Sequence, residues 1–379
     1  MTALATLAAS AWLALPAGTA LASEIGISVV LDGFYTSGES ALSERGTGFG
    51  LGHTELSLHA PVDDLFTGRL TTVLESHGGA TELELEEAFL DTVALPFGLG
   101  VRAGRFLSQV GYLNARHTHA DSFAERPAVY RALLGTHYFD DGARLDALLA
   151  TPFFWRIGVE AFEGASLAGG EEDDDVGVVT LKSTWGGDLS ASSSWQAGVS
   201  YLRHRLDVTA EAEPDKTART DGAGGAPGDE HGHAHSHDAA YSGENLYVLD
   251  AIWKWAPRGN ARARQLAVSG EYLYVDELGE NAAEGDAHEG WYAAAVYRFG
   301  PQWSAGVRHG EVDLRQAHGD HFHGQSLRET DLMLTWARSH FSQLRLQVSL
   351  QDADGLTDAN DTLTLQYVMT LGAHGAHAF

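Results

Sequence analysis

The sequence has no cysteine, only 9 prolines and only 3 methionines among its 379 residues. The absence of cysteine excludes disulfide bonds, thiolate metal sites and cysteine nucleophiles. Lysine and arginine number 24 against 52 aspartates and glutamates, which gives a formal net charge of −28. This balance argues against nucleic acid as a partner, because phosphate binding needs clustered basic side chains. Beyond residue 22, no apolar run approaches the roughly 18 residues that a transmembrane helix needs.

The first segment of the chain is apolar and uncharged. Residues 1–22 end in Ala20-Leu21-Ala22, the small-residue pattern that signal peptidase recognises. We therefore expect a signal peptide over 1–22 and an exported mature chain over 23–379. The mature chain either is soluble outside the cytoplasm or crosses a membrane as strands.

Alternation of apolar and polar residues favours strands. Near the end of the chain, for example, Leu344, Leu346 and Val348 alternate with polar residues. Runs of about ten residues exceed the usual sandwich strand and suit a tilted strand that crosses a bilayer. The pattern predicts about 16 strands, within a range of about 14 to 18: 25–36, 48–61, 65–76, 81–94, 98–107, 134–148, 153–165, 175–186, 193–207, 245–256, 263–276, 290–300, 302–314, 326–338, 342–351 and 361–373.

The connections between these strands alternate between short turns and long polar loops. This layout is typical of an outer-membrane β-barrel, so we predict an all-β, antiparallel transmembrane barrel in the bacterial outer membrane. The chain is too short for a plug domain together with the roughly 22 strands of a plugged transporter. In the fourth strand, Glu87 and Asp91 fall in phase with apolar residues, and we expect a β-bulge there to restore the alternation.

The third outer loop, 107–133, is long and charged, and it stands where porins fold a loop into the barrel. We predict that it constricts the pore, although it could instead cap the barrel from outside. Charged side chains in a constriction set ion selectivity, and two histidines could add a metal contact. The candidate constriction residues are Arg116, His117, His119, Asp121, Glu125, Arg126 and Arg131.

Histidines are concentrated in other predicted outer loops. The loop 207–244 contains four of them at every second position, and the loop 315–325 contains three more. Neutral imidazoles bind zinc, copper and nickel, and a flexible segment can wrap several around one ion. The alternative is a solvated loop without a metal role. The candidate metal ligands are His231, His233, His235, His237, His318, His321 and His323.

Several segments resemble a known family. They are Gly48–Ser57 (GFGLGHTELS), Glu84–Leu90 (ELEEAFL), Ala103–Phe106 (AGRF), Arg126–Ala132 (RPAVYRA), Asp140–Leu145 (DDGARL) and Trp253–Pro257 (WKWAP). The chain resembles the zinc-regulated TonB-dependent outer-membrane receptors of proteobacteria and, more distantly, the phosphate-selective porins O and P. The resemblance implies expression or uptake linked to zinc.

Taken together, the residues and the resemblance predict a porin-like channel linked to zinc uptake. Alternatives are a general or anion-selective porin with an incidental histidine loop, a TonB-coupled receptor, and a structural surface barrel. We expect no enzymatic activity and no required cofactor, with zinc at most a ligand or the substrate. Expected partners are outer-membrane lipid, lipopolysaccharide, the barrel-assembly machinery and two further copies in a homotrimer. The residues leave coupling to TonB open.

Overall fold

A computed structural model describes residues 25–77, 80–167, 176–205, 241, 243–279, 282–318 and 321–372. The predicted signal peptide over 1–22 lies outside these residues. In the described part, no helix is both long and apolar enough to cross a membrane.

Seventeen antiparallel strand segments form one closed sheet. They are β1 (Gly26–Thr36), β2 (Gly48–Leu51), β3 (Thr54–Pro61), β4 (Phe66–His77), β5 (Ala80–Thr92), β6 (Leu99–Leu107), β7 (Phe139–Leu148), β8 (Phe154–Phe162), β9 (Val178–Ser190), β10 (Ser193–His204), β11 (Asn245–Trp255), β12 (Gln265–Asp276), β13 (His288–Arg298), β14 (Trp303–His318), β15 (His321–Ser339), β16 (Ser342–Asp354) and β17 (Thr362–Gly372). Since β2 and β3 both pair with β1 as halves of one strand, the barrel has 16 strands. The predicted fold class is confirmed.

The burial pattern is the reverse of that in a soluble barrel. In β17, Thr362, Thr364 and Gln366 are buried, whereas Leu363 and Leu365 are exposed. The same arrangement recurs around the wall, so apolar side chains form the outer surface and polar side chains face the lumen. An outer apolar belt is stable only against lipid.

Two irregularities interrupt the sheet on the same side of the barrel. The strand formed by β2 and β3 is broken at Gly52 and His53. In β5, Thr71 of β4 pairs with Glu87 and Thr72 pairs with Leu85, so Glu86 is an extra residue. This is the bulge that the sequence predicts, and it leaves both Glu86 and Glu87 buried.

The hairpin between β14 and β15 corrects a predicted loop. We expected a polar loop over 315–325, but the strands pair as far as His318 and His321. The alternation of apolar and polar residues weakens there because the hairpin extends past the lipid belt. Backbone pairing, which the pattern does not report, continues beyond it.

The segment between β6 and β7, residues 108–138 and here called L3, lies inside the barrel. It contains a short 3-10 helix (Thr118–Ala120) and one short α-helix, α1 (Ala128–Leu134), all of whose residues are buried. Gly135 follows with a left-handed backbone (φ 52°) that ends the helix. Val129 and Leu133 belong to an apolar cluster with inward-facing residues of the wall, among them Leu273 and Val312. This apolar strip in a mostly polar lumen holds the helix against β13 and β14.

Candidate functional site

L3 is fixed to the wall by a buried carboxylate. Glu271 of β12 accepts hydrogen bonds from the backbone N–H groups of Tyr112 (2.7 Å) and Leu113 (3.1 Å). It also accepts hydrogen bonds from the hydroxyls of Tyr130 and Tyr292, both at 2.8 Å. Four donors therefore surround one side chain that is 3% exposed, and they set the position of the first half of L3.

Arginines two and four strands further along the sheet hold the second half of L3. Arg345 of β16 donates to the carbonyl oxygens of Asp121 (2.6 Å) and Phe123 (2.9 Å). Arg308 of β14 donates to the carbonyl oxygen of Glu125 at 2.7 Å. L3 crosses the lumen, because these partners lie on β12, β14 and β16 whereas His119 of L3 contacts Glu55 of β3, about half-way round the ring.

The predicted constriction residues have two different surroundings. Arg116, His119 and Asp121 border a large cavity in the lumen. Arg131 forms ion pairs with Glu125 (2.7 Å) and with Glu329 of β15 (2.5 Å).

Arg126 is also engaged within the loop. It is 2% exposed and pairs with Asp121 at 2.9 Å. The role of this loop in constricting a pore stays a prediction, and its internal ion pairs show how its shape is maintained.

The large cavity lies between L3 and the short turns, and we call it the basic vestibule. Its volume is about 730 Å³. Its lining includes seven basic side chains but a single carboxylate, that of Asp121. The basic residues are Arg116, Lys254, Arg262, Arg298, Arg308, Arg338 and Arg345. The vestibule therefore has a positive charge although the whole chain is strongly acidic.

Several of these charges are not neutralised by the wall. Within the described residues, no carboxylate forms an ion pair with Arg116, Arg262, Arg298 or Arg338. Arg345 is bound to carbonyl oxygens, whereas Arg308 pairs with Asp331 at 2.7 Å. An array of unpaired cations in a confined cavity attracts anions.

A second group of charged residues lies where L3 meets the broken strand and the bulge. We call it the His–Glu cluster. Its members are His53, Glu55, Glu75, Glu86, Glu87, His117, His119 and His137. Two sets of three within it, His53–Glu55–His117 and His53–Glu86–His137, place their donor atoms within 4.8 Å of one another.

Carboxylates dominate the electrostatics of this cluster. Burial opposes the charged form of the His117 ring, but attraction to Glu55, Glu86 and Glu87 outweighs it and raises the pKa of His117 well above its ordinary value. His119 contacts Glu55 at 2.6 Å and stacks on His117 with ring centroids 5.7 Å apart. The two histidines that the sequence assigns to L3 therefore face carboxylates of the wall.

The predicted metal ligands of the outer loops are only partly described. His231, His233, His235 and His237 lie outside the described residues, as does the side chain of His318. His321 and His323 lie at the start of β15, with their Nε2 atoms 3.2 Å apart. A metal role for all seven stays a prediction.

Sequence reasoning missed the basic vestibule and most of the His–Glu cluster. Five of the seven basic residues stand near the short-turn ends of strands, a position that a count of total charge conceals: Lys254, Arg262, Arg298, Arg338 and Arg345. His53 and Glu55 share the lumen-facing parity of their strand, and Glu86-Glu87 breaks the parity of the next. These local signals point inward, but only the closed barrel brings them to L3.

No family model matches the chain, so membership of the zinc-regulated receptor family stays a prediction. An uncharacterised protein of Aquifex aeolicus is 28% identical over 360 residues, which span 88% of this chain and 70% of that protein. The other similarities are to solved structures.

Three solved structures illustrate the similarity in fold. A loop-deletion mutant of OmpT, an outer membrane protein of Vibrio cholerae, has a TM-score of 0.56 at 11% identity and covers 92% of this chain and 100% of its own. The outer membrane channel DcaP of Acinetobacter baumannii has a TM-score of 0.54 at 11% identity, and the match covers 92% of this chain and 97% of that channel. The anion-selective porin of Comamonas acidovorans has a TM-score of 0.53 at 10% identity, and the match covers 93% of this chain and 100% of that porin.

The chain thus has the fold of the outer-membrane porins. With the apolar outer belt, this confirms the predicted location in the outer membrane of Gram-negative bacteria.

Proposed function

We propose that this protein is a porin-like channel that passes small anionic solutes. The observation that supports this choice is the basic vestibule, in which seven cations face one carboxylate. Charged side chains lining a pore set its selectivity through their potential, and low-dielectric walls strengthen that potential. The proposal adopts the anion-selective alternative, which the total charge of −28 disfavours.

The selectivity is tested by the reversal potential of the refolded barrel in a planar bilayer under a salt gradient. We expect an anion preference, and we expect the triple variant Arg262→Gln, Arg298→Gln, Arg338→Gln to shift the reversal potential toward that of a cation channel. The control is Arg203→Gln with Arg328→Gln, two exposed arginines far along their strands from the short turns. A cation preference in the natural protein would refute the proposal, and an absence of conductance would favour the structural surface barrel.

Zinc capture at the outer mouth is a second candidate function. Its support is the run of four histidines in the loop 207–244, together with the His321–His323 pair. We expect micromolar zinc to change the channel current, and we expect replacement of His231, His233, His235 and His237 by serine to abolish most of that response. An equal response in both proteins would remove the loop from the proposal, and a growth requirement for TonB on limiting zinc would favour the receptor alternative.

We also propose a homotrimer, because an in-vitro folded form of OmpT of Vibrio cholerae with a TM-score of 0.55 is a trimer. We expect no enzymatic activity and no resident cofactor for this function. Lipid, lipopolysaccharide and the barrel-assembly machinery are the other partners that we propose for a barrel of this kind.

A further inference from the structure

The His–Glu cluster buries four carboxylates beside four histidine rings. Four carboxylates, those of Glu55, Glu75, Glu86 and Glu87, are each less than a tenth exposed. Burying carboxylates costs several kcal/mol each unless cations and hydrogen bonds compensate them. The neighbours that could compensate are imidazoles, which are neutral when they act as metal ligands.

The central carboxylate is approached by three imidazoles. Glu86 Oε1 lies 2.7 Å from His137 Nε2 and 3.1 Å from His53 Nε2, and Glu86 Oε2 lies 3.2 Å from His117 Nδ1. Ring nitrogens from the wall and from L3 therefore converge on one carboxylate. Convergence of imidazole and carboxylate donor atoms is the arrangement expected of ligands around a common centre.

The spacing suits a tetrahedral ion. Zinc with nitrogen and oxygen ligands at about 2.0 to 2.1 Å separates those ligands by roughly 3.3 Å. The separations of His137 Nε2 and His53 Nε2 from Glu86 Oε1, 2.7 and 3.1 Å, are close to this value.

In two of these rings, the nitrogen that faces away from Glu86 contacts another carboxylate. His53 Nδ1 contacts Glu75 Oε1 at 2.8 Å, and His117 Nε2 contacts Glu87 Oε2 at 3.2 Å. A carboxylate on the far nitrogen of a ligating histidine fixes its tautomer and orientation in metal sites.

A small cavity lies beside the cluster. It has a volume of about 50 Å³ and is bordered by His53 and Glu75. This space is sufficient for water, which needs about 10–15 Å³ on the same measure.

We infer that the His–Glu cluster binds one divalent transition-metal ion, with zinc the best match, through His53, Glu86 and His137, whose donor atoms lie within 4.8 Å of one another. Glu75 orients the His53 ring, and His117 stands beside the second oxygen of Glu86 at 3.2 Å. Because His137 lies in L3 while His53 and Glu86 belong to the wall, the ion joins L3 to the barrel. This site is distinct from the histidines of the outer loops and does not depend on the proposed anion channel.

The test measures equilibrium metal binding by the full chain in detergent. The outer histidines are first removed by changing His231, His233, His235, His237, His318, His321 and His323 to serine. Cobalt(II) is then titrated and followed by its visible absorption, and zinc is measured by competition. We expect one equivalent of cobalt with the absorption of a tetrahedral site.

Variants in the same background identify the ligands. We expect Glu86→Gln and His137→Asn to weaken binding by at least about 100-fold, and Glu75→Gln, a positioning change, to weaken it by about 10- to 100-fold. The matched control is His288→Asn, a buried histidine outside the cluster that accepts a hydrogen bond from the Arg315 N–H at 3.0 Å. Folding of each variant is checked by far-UV circular dichroism and by heat-modifiable gel mobility.

Two results would overturn the inference. One is a folded background protein that takes up no cobalt or zinc. The other is binding by folded Glu86→Gln, His137→Asn and Glu75→Gln that is as tight as that of His288→Asn. Since no conductance is measured, either result leaves the proposed channel function to its own test.

Discussion

Single side chains of the barrel wall fix the position of L3, and the sequence of the loop itself does not reveal them. Glu271 is one strand residue among many, yet its two oxygens accept four hydrogen bonds, three of them from L3. A carboxylate is suited to this position because it only accepts hydrogen bonds. Two of the donors are backbone N–H groups, which cannot reverse their direction.

This arrangement predicts the effect of one substitution. Glu271→Gln places an amide NH₂ against a fixed backbone N–H, so at least one buried donor loses its acceptor, at a cost of about 1–3 kcal/mol. We expect urea unfolding in detergent to show a loss of stability in that range. Glu311→Gln, which breaks only an exposed ion pair with Arg328, is the control. Equal stabilities of the two variants would contradict this account of L3.

At the scale of elements, L3 and the sheet are stabilised differently. The strands are held by backbone pairing around a closed ring. L3 is held by side chains and close contacts. At Gly111 the backbone is left-handed (φ 65°), and a Cβ atom would lie 2.3 Å from the Tyr130 hydroxyl and 2.6 Å from Glu271 Oε2.

Gly111→Val therefore should release L3 without opening the barrel. We expect a loss of about 1–3 kcal/mol from the strained backbone and, for an open channel, a larger and noisier single-channel conductance. Gly46→Val is the matched control, because no atom lies within 4 Å of its Cβ position. If Gly111→Val has the current of the natural protein, L3 does not limit the pore.

The sequence predicts the strands of this protein better than it predicts the path of its longest described loop. All 16 strands have counterparts in the predicted set, and the bulge is placed in the predicted strand. The alternation of apolar and polar residues has a period of two in any strand, so it can be recognised in a single sequence. The inward path of L3 has no such periodic signal, because it depends on partners 150 or more residues away, such as Glu271 and Arg345.

At the scale of the whole molecule, charge is segregated. The chain has 28 more acidic than basic side chains, yet the basic vestibule has an excess of cations. Part of the acid lies in segments such as 171–175, which is EEDDD and outside the described residues. Total charge is therefore a poor guide to the potential that a solute meets inside the barrel.

Segregated charge also makes the proposed anion preference dependent on salt. The Debye length falls from about 10 Å at 0.1 M to about 3 Å at 1 M. Since the vestibule is wider than the shorter length, we expect the preference measured by reversal potential to decrease as the salt concentration rises. A preference that is independent of salt would point instead to direct binding of each anion.

The sequence is sufficient to predict an antiparallel transmembrane barrel of about 16 strands in the outer membrane. This prediction follows from local periodicity and from the alternation of short and long connections, which each segment encodes on its own. The meeting points of the charged residues, in contrast, depend on the tertiary structure. Closure of the sheet brings His53, Glu86 and His137 together across three separate segments, and it gathers arginines from several turns into one vestibule. Such encounters depend on which strands become neighbours and on how L3 crosses the lumen, and no short stretch of sequence specifies either.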